Sequence, residues 1–118
     1  MIVEDEIIEA MFLGEILELR GYEICETATS GEDAIKEAEI QNPDVVLMDI
    51  SIHGKISGIE AASRIRSRFG IPVIFMTGYP DEETRQKAYI TNPAGYFVKP
   101  LDYDKLEEAI MSLMHEKR

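Results

Sequence analysis

The segment Asp44-Val45-Val46-Leu47-Met48-Asp49 constrains the fold of this chain more than any other feature. Its apolar residues lie between two acids, without the polar alternation of a half-exposed strand. Such a run is typical of a strand buried on both faces, which occurs mainly in parallel sheets covered by helices on both sides. In open sheets of this kind, ligands bind beyond the carboxyl ends of the strands. Asp49 lies at that end, so it is a candidate binding residue, although this segment alone fits equally well a residue that merely terminates the strand.

Strands and helices alternate along the whole chain. Short apolar runs predict the strands, and apolar residues at helical spacing behind capping residues predict the helices. The predicted strands are 1–3, 22–28, 44–49, 72–77 and 95–98, and the predicted helices begin near Asp5, Ser30, Ser57, Asp81 and Asp102. Strict alternation with short connections indicates an α/β fold, in which a doubly wound, five-stranded parallel sheet carries five helices on its two faces.

The first predicted helix carries an apolar stripe. Ile8, Met11, Phe12, Ile16 and Leu19 recur at the spacing of one helix face. Because an amphipathic helix packs its apolar face against the core, we expect this stripe to contact the sheet.

Length and composition indicate one globular domain in a reducing compartment. With 118 residues the chain can bury a core, and we interpret residues 1–118 as a single domain trimmed from a longer protein. The lone cysteine, Cys25, excludes an internal disulfide and fits the cytoplasm. The net charge of -11 argues against direct binding of nucleic acid, and no apolar run is long enough to cross a membrane.

Polar residues stand at the ends of four predicted strands. Glu4 and Asp5 follow the first strand, Asp49 ends the third, Thr77 ends the fourth and Lys99 follows the fifth. The carboxyl ends of parallel strands share one edge of the sheet, so these side chains are expected to converge. A hard divalent cation, most simply Mg²⁺, would relieve the repulsion between the acids. The cation and Lys99 could then hold a phosphoryl group, with a hydrogen bond from Thr77 and with Asp49 as the nucleophile.

Four motifs resemble those of the response-regulator receiver domain, the phosphoacceptor module of two-component signalling. They are Val3-Glu4-Asp5-Glu6, Val46-Leu47-Met48-Asp49, Met76-Thr77-Gly78 and Gly95-Tyr96-Phe97-Val98-Lys99-Pro100. The motifs occur in the order of the family and span nearly the whole chain, so together they are very specific. The resemblance implies a flavodoxin-like sheet with the strand order 2-1-3-4-5.

The resemblance also implies the role of each residue at the carboxyl edge. Asp49 is expected to be the phosphoacceptor, and Glu4, Asp5, Asp49 and the backbone carbonyl of Ser51 are expected to bind Mg²⁺ or Mn²⁺. The phosphoryl oxygens are expected to bind Thr77, Gly78 and Lys99. Thr77 and Tyr96 correspond to the conformational switch of the family, and Lys99–Pro100 is expected to be a cis peptide.

The loop after Asp49 departs from the usual pattern of the family. It is one residue longer, with His53, Ser57 and Gly58 where a proline and an Asp-Gly pair are common, and we interpret His53 as a solvated loop residue. In receivers, the hydrolytic water passes the residues two beyond the acceptor and two beyond the threonine, here Ser51 and Tyr79. Ser51 is small and has no acid or amide that would orient a water, and Tyr79 is bulky, so we expect a persistent phosphoaspartate.

Taken together, these features predict a receiver that takes a phosphoryl group from a phosphohistidine on a histidine kinase or phosphotransfer protein. It would catalyse its own phosphorylation and slow dephosphorylation. The face formed by the fourth helix, last strand and last helix would then bind a downstream protein, an attached effector domain or a second copy of the chain. One alternative is a phosphate-independent binding module. Another is a phosphoester hydrolase, which is disfavoured because Ser51, not an acid, follows Asp49 two residues on.

Overall fold

A parallel sheet of four strands lies at the centre of the computed structural model, which describes residues 1–116. The strands are β1 (Ile2–Val3), β2 (Val46–Asp49), β3 (Val73–Thr77) and β4 (Gly95–Val98), in the spatial order β1-β2-β3-β4. The helices are α1 (Ile7–Leu19), α2 (Gly31–Gln41), α3 (Gly58–Phe69), α4 (Glu82–Ile90) and α5 (Tyr103–Glu116). No helix in the described part of the chain is long and apolar enough to span a membrane.

The predicted strand at residues 22–28 is not formed, so the predicted five-stranded sheet with the order 2-1-3-4-5 is wrong. Only Ala28 pairs with the sheet, through an isolated parallel bridge to Val3. Its amide donates to the carbonyl of Ile2 and its carbonyl accepts from the amide of Glu4, both at 3.0 Å. Because β1 is only two residues long, it offers an edge strand too few partners to extend this bridge.

Successive residues of each strand point to opposite faces of the sheet, so the strands contribute to two separate cores, one on each face. On one face, α2, α3 and α4 pack small side chains such as Ala34, Ala62 and Ala88 against strand residues that include Val46 and Phe75. On the other face, α1 and α5 cover a second group that includes Leu47 and Ile74. Both faces of β2 and β3 are therefore buried, as their continuous apolar sequences predicted.

The face of α1 that contacts the sheet is not the predicted one. Ala10, Leu13, Gly14 and Leu17 are buried. The predicted stripe is turned outward, where Ile8 and Leu19 are 83% and 88% exposed. A Cβ atom added at Gly14 would lie 3.8 Å from Ile2 Cδ1, which is an ordinary van der Waals distance, so this buried position has room for an alanine.

Side-chain caps at four of the helix starts agree with the sequence. Ser30, Ser57 and Asp81 each accept a hydrogen bond from the backbone amide three residues on, at 3.0–3.1 Å. Asp102 accepts from the amides of the first turn of α5 in the same way. These caps fix where the loops after the strands end and the helices begin.

Candidate functional site

Three buried polar side chains lie at the carboxyl edge of the sheet. Glu4 follows β1, Asp49 ends β2 and Thr77 ends β3, and they are only 3%, 4% and 1% exposed. Charged residues are almost never buried this completely without a partner. The parallel strands thus bring together side chains that lie far apart in the sequence, as predicted.

Lys99 is the partner that the acids share. Its Nζ atom lies 2.7 Å from Asp49 Oδ2, 3.0 Å from Glu4 Oε2 and 3.3 Å from Glu9 Oε2. Burial alone would lower the pKa of Lys99, but its hydrogen bonds to Asp49 and Glu4 outweigh burial and raise this pKa. Lys99 is therefore held in its charged form between the carboxylates.

The environment of Glu4 favours the protonated acid. Burial raises its pKa from 4.5 to about 7, and the contact with Asp49 acts in the same direction. The hydrogen bonds from Lys99 and from the amide of Glu6 act in the opposite direction and are weaker. Two neighbouring buried carboxyl groups with one lysine between them therefore compete for a single positive charge.

Glu9 is a site residue that the sequence reasoning missed. It lies in the first turn of α1 and is half-exposed, with its carboxylate directed to Lys99. One carboxylate oxygen each from Glu4, Glu9 and Asp49 lies within 4.8 Å of the other two. The available signal was its place as the acid in the first turn of α1, shortly after the acidic end of β1.

Asp5 does not belong to this group of three acids. Its Oδ2 atom instead lies 2.7 Å from Nδ1 of His53 and accepts a hydrogen bond from the backbone amide of His53 at 3.2 Å. The hydrogen bond from the His53 ring lowers the pKa of Asp5 below its usual value. His53 is solvated, as predicted, since its side chain is 94% exposed, but it is also the partner of a predicted metal ligand.

The backbone after Asp49 folds closely around its carboxylate. The amide of Ser51 donates to Asp49 Oδ1 at 2.8 Å. A Cβ atom added at Gly58 would lie only 2.9 Å from the carbonyl oxygen of Asp49. Glycine at the start of α3 thus lets this helix begin directly against the end of β2.

The residues after β3 are arranged around Thr77. The Thr77 hydroxyl accepts a hydrogen bond from the amide of Tyr79 at 3.0 Å, and Gly78 between them is exposed. The ring of Tyr79 is 76% exposed, so in this arrangement it does not cover the acceptor site. Its predicted role in the lifetime of the phosphoryl group stays a prediction.

Tyr96 on β4 is partly buried beside α4. Its ring stacks on Tyr89 with the centroids 5.7 Å apart, and its hydroxyl is buried without a hydrogen-bond partner in the described residues. Lys99 directly follows the end of β4, and its peptide bond to Pro100 is cis.

The donor atoms at this edge suit a hard divalent cation. Glu4, Glu9 and Asp49 offer only carboxylate oxygens, which Mg²⁺ and Ca²⁺ prefer over nitrogen or sulfur. The backbone carbonyl of Ser51 and the carboxylate of Asp5 are further oxygen donors on the adjoining loops. The residues present therefore fit a cation of the Mg²⁺ type.

The parallel α/β sheet, with buried acids and one lysine at its carboxyl edge, agrees with the receiver motifs of the sequence. The family model for the response regulator receiver domain matches residues 1–111. The chain therefore belongs to the receiver domain family of two-component signalling. Receiver domains of response regulators generally bind Mg²⁺ and interact with histidine kinases and effector domains.

Similar proteins support this assignment. The chain is 36% identical over 110 residues to the transcriptional regulatory protein PdtaR of Mycobacterium tuberculosis, covering 93% of this chain but 53% of that protein. It is 32% identical to the chemotaxis protein CheY of Treponema pallidum, covering 97% and 81%. The signal receiver domain of a modulated diguanylate cyclase from Desulfovibrio desulfuricans superimposes with a TM-score of 0.91 at 38% identity, covering 98% and 92%. The chain thus spans about half the length of PdtaR.

Proposed function

We propose that this domain accepts a phosphoryl group on Asp49 from a phosphohistidine. The observation that carries the proposal is the 2.7 Å contact between Lys99 Nζ and Asp49 Oδ2 at the buried end of β2. The carboxylate of Asp49 is fixed by the Ser51 amide on one oxygen and by the Lys99 ammonium group on the other. A carboxylate held in this way is oriented for attack along one direction.

In the proposed reaction, a carboxylate oxygen of Asp49 attacks phosphorus while the bond between phosphorus and the imidazole nitrogen breaks. The imidazole leaves with the electron pair of that bond and takes up a proton, and an acyl phosphate forms on Asp49. Mg²⁺ or Mn²⁺ held by Glu4, Asp5, Asp49 and the carbonyl of Ser51 would neutralise part of the phosphoryl charge. Lys99 exchanges its contact with Asp49 for a phosphoryl oxygen, and Thr77 and the backbone at Gly78 donate to others. Water later hydrolyses the acyl phosphate slowly, which resets the domain.

Exposed apolar residues on α1 provide a surface for the protein that donates the phosphoryl group. Ile7, Ile8, Met11 and Phe12 are between 57% and 83% exposed and lie next to Glu9, which contacts Lys99. Their exposed area is on the order of 500 Å², a size at which apolar patches on monomers are often functional. The surrounding acids and the net charge of -11 favour a histidine kinase or phosphotransfer protein of the cytoplasm that has a basic contact surface.

The output proposed for phosphorylation is a change at the surface formed by α4, β4 and α5. Tyr96 and Thr77 link this surface to the site, since Thr77 lies at the site and Tyr96 packs beside α4. Phosphorylated molecules would favour a different conformation of this surface. In that conformation the surface would bind a downstream protein, an attached effector domain or a second copy of the chain.

Labelling with a small phosphodonor tests the acceptor. The protein is incubated with acetyl phosphate and Mg²⁺, and the mass of the intact chain is measured. Wild type is expected to gain one phosphoryl group and Asp49→Asn none, while Lys99→Ala keeps some labelling but loses the change at the α4 surface. Asp44→Asn, at the other end of the same segment, is the matched control and should label as wild type does. Equal labelling of Asp49→Asn and wild type would refute the acceptor, and no labelling of wild type would favour a phosphate-independent binding module.

A second experiment tests the α1 surface. Ile8→Lys should slow phosphotransfer from a phosphohistidine protein while leaving labelling by acetyl phosphate unchanged, because the substituted side chain points into solvent. Equal slowing with both donors would mean that the substitution disturbs the site itself.

A further inference from the structure

His53 and Asp5 form a contact for which packing is not responsible. The side chain of His53 is 94% exposed, yet its Nδ1 atom lies 2.7 Å from Asp5 Oδ2. The backbone amide of His53 donates to the same oxygen at 3.2 Å. With its proton on Nδ1 the ring also donates, so both lone pairs of Asp5 Oδ2 are in use. An exposed imidazole in solution has many alternatives to this position, so the hydrogen bond itself holds it there.

This contact divides the acids of the site into two sets. Lys99 binds Glu4, Glu9 and Asp49, whose oxygens lie within 4.8 Å of one another. Among the described residues Asp5 is not in that group, and its contact is with the loop that carries His53. Asp5 would have to turn from this loop to share a cation with Glu4 and Asp49.

We propose that His53 is a latch on the cation site, which holds Asp5 away from the other acids and so weakens the binding of Mg²⁺. The inference rests on the proposed function, because the latch acts on the cation that the acceptor reaction requires. For Asp5 to share a cation with Glu4 and Asp49, its carboxylate must move toward theirs, because Asp5 is outside the group of acids whose oxygens lie within 4.8 Å of one another. That movement draws Oδ2 away from the ring and the backbone amide of His53 and so weakens the hydrogen bonds that it accepts from them.

The size of the effect follows from the exposure of the pair. An exposed charge-assisted contact is worth about 1 kcal/mol. Since 1.4 kcal/mol corresponds to a factor of ten in affinity, release of the latch should tighten Mg²⁺ binding about fivefold. Only the ring contributes to this difference, because the backbone amide remains at position 53 in every variant.

The test compares Mg²⁺ binding to the whole chain for wild type, His53→Ala and His115→Ala, by calorimetric titration and by the rise in melting temperature. His115 is the second histidine of the chain and lies on the exposed side of α5, so its variant controls for loss of a surface imidazole. His53→Ala should bind Mg²⁺ about fivefold more tightly, and His115→Ala as wild type does. In nuclear magnetic resonance spectra, the imidazole signals of His53 in wild type should shift on addition of Mg²⁺ as the ring leaves Asp5.

The outcomes separate the latch from the proposed function. Equal affinity of wild type and His53→Ala overturns the latch while the cation site stands. Weaker binding by His53→Ala also overturns it, because His53 would then assist the cation. If neither wild type nor any variant binds Mg²⁺, the proposed cation site is wrong, and the proposed latch is then wrong as well. Folding is checked in EDTA, where His53→Ala should melt in one cooperative transition and lose only the stability that the latch contact itself contributes.

Discussion

Replacing Glu4 by Gln should change how the stability of the protein depends on pH. Burial and the neighbouring Asp49 raise the pKa of Glu4 from 4.5 to about 7. Between these two pH values, the folded protein keeps a proton that the unfolded chain has already released. The free energy of unfolding therefore falls as the pH rises through this window, and the contribution of Glu4 is constant above it.

The magnitude follows from the two pKa values. Each pKa unit corresponds to ~1.4 kcal/mol, so ionising Glu4 inside the folded protein removes roughly 3 kcal/mol of stability between pH 4.5 and 7. Glutamine keeps the shape of the side chain but has no proton to release. Lys99 still contacts Asp49 and Glu9 in the variant, so it is not left as an unpaired buried charge.

The measurement is urea unfolding of wild type, Glu4→Gln and Glu9→Gln in EDTA at pH 5, 6, 7 and 8. The loss of stability between pH 5 and 8 should be smaller in Glu4→Gln than in wild type by roughly 2–3 kcal/mol. Glu9→Gln is the matched control, since it also removes a carboxylate partner of Lys99 but one that is half-exposed. The same pH dependence in wild type and Glu4→Gln would refute the assignment of a raised pKa to this residue.

Five further substitutions test the rest of the structure. Tyr96→Phe should raise the free energy of unfolding by about 1 kcal/mol in urea, because it removes a buried hydroxyl without a described partner, and a loss of stability would show that the hydroxyl is bonded. Gly14→Ala should stabilise α1 by about 0.5–1 kcal/mol, because alanine favours the helix more than glycine does. Gly58→Ala should instead destabilise the protein and impair its labelling by acetyl phosphate, because the added Cβ would lie 2.9 Å from the carbonyl oxygen of Asp49. Ser51→Asn, which adds an amide that can orient water, should speed dephosphorylation about tenfold. Tyr79→Ala should speed dephosphorylation less, because the ring of Tyr79 is exposed. A larger effect of Tyr79→Ala than of Ser51→Asn would show that the ring covers the site.

The sequence predicted the buried strands and the positions of most site residues because both depend on simple rules. Continuous apolar runs such as 45–48, between acids, are typical of strands between two layers of helices. Once the sheet is parallel, residues after the strands must share one edge, which places Glu4, Asp49, Thr77 and Lys99 together without knowledge of any side-chain conformation.

The orientation of α1 could not be read from the sequence because two of its faces are apolar. Ile8, Met11 and Leu19 form one stripe, and Leu13 and Leu17 belong to another with small residues between them. Periodicity counts both stripes as candidates, but only the second lets the helix backbone lie close to β1. The choice depends on the shape of the sheet surface, which the sequence of α1 does not contain.

The contacts of Asp5, Glu9 and His53 could not be predicted for a different reason. Each lies on a loop or in the first turn of a helix, where its side chain can reach more than one charged partner. Family motifs identify which residues are present at the site, but the pairing within the site depends on distances of a few tenths of an ångström. The four strand ends limited the candidates, and the side-chain geometry then paired Lys99 with three acids and His53 with the fourth.

The contact between Lys99 and Asp49 also explains how phosphorylation of Asp49 could change the surface formed by α4, β4 and α5, which Asp49 does not contact. Lys99 contacts Asp49 through its side chain, while its backbone amide donates to the carbonyl of Thr77 at 2.8 Å, so a phosphoryl group that recruits both residues pulls on the ends of β3 and β4 together. Tyr96 lies on β4 with a buried hydroxyl that has no partner in the described residues, so its present position is stabilised less than that of a fully bonded side chain. A second position of Tyr96 therefore needs only a small difference in free energy to become populated. Tyr89 stacks on Tyr96. We therefore expect the nuclear magnetic resonance signals of the Tyr89 ring to shift on phosphorylation in wild type but not in Lys99→Ala.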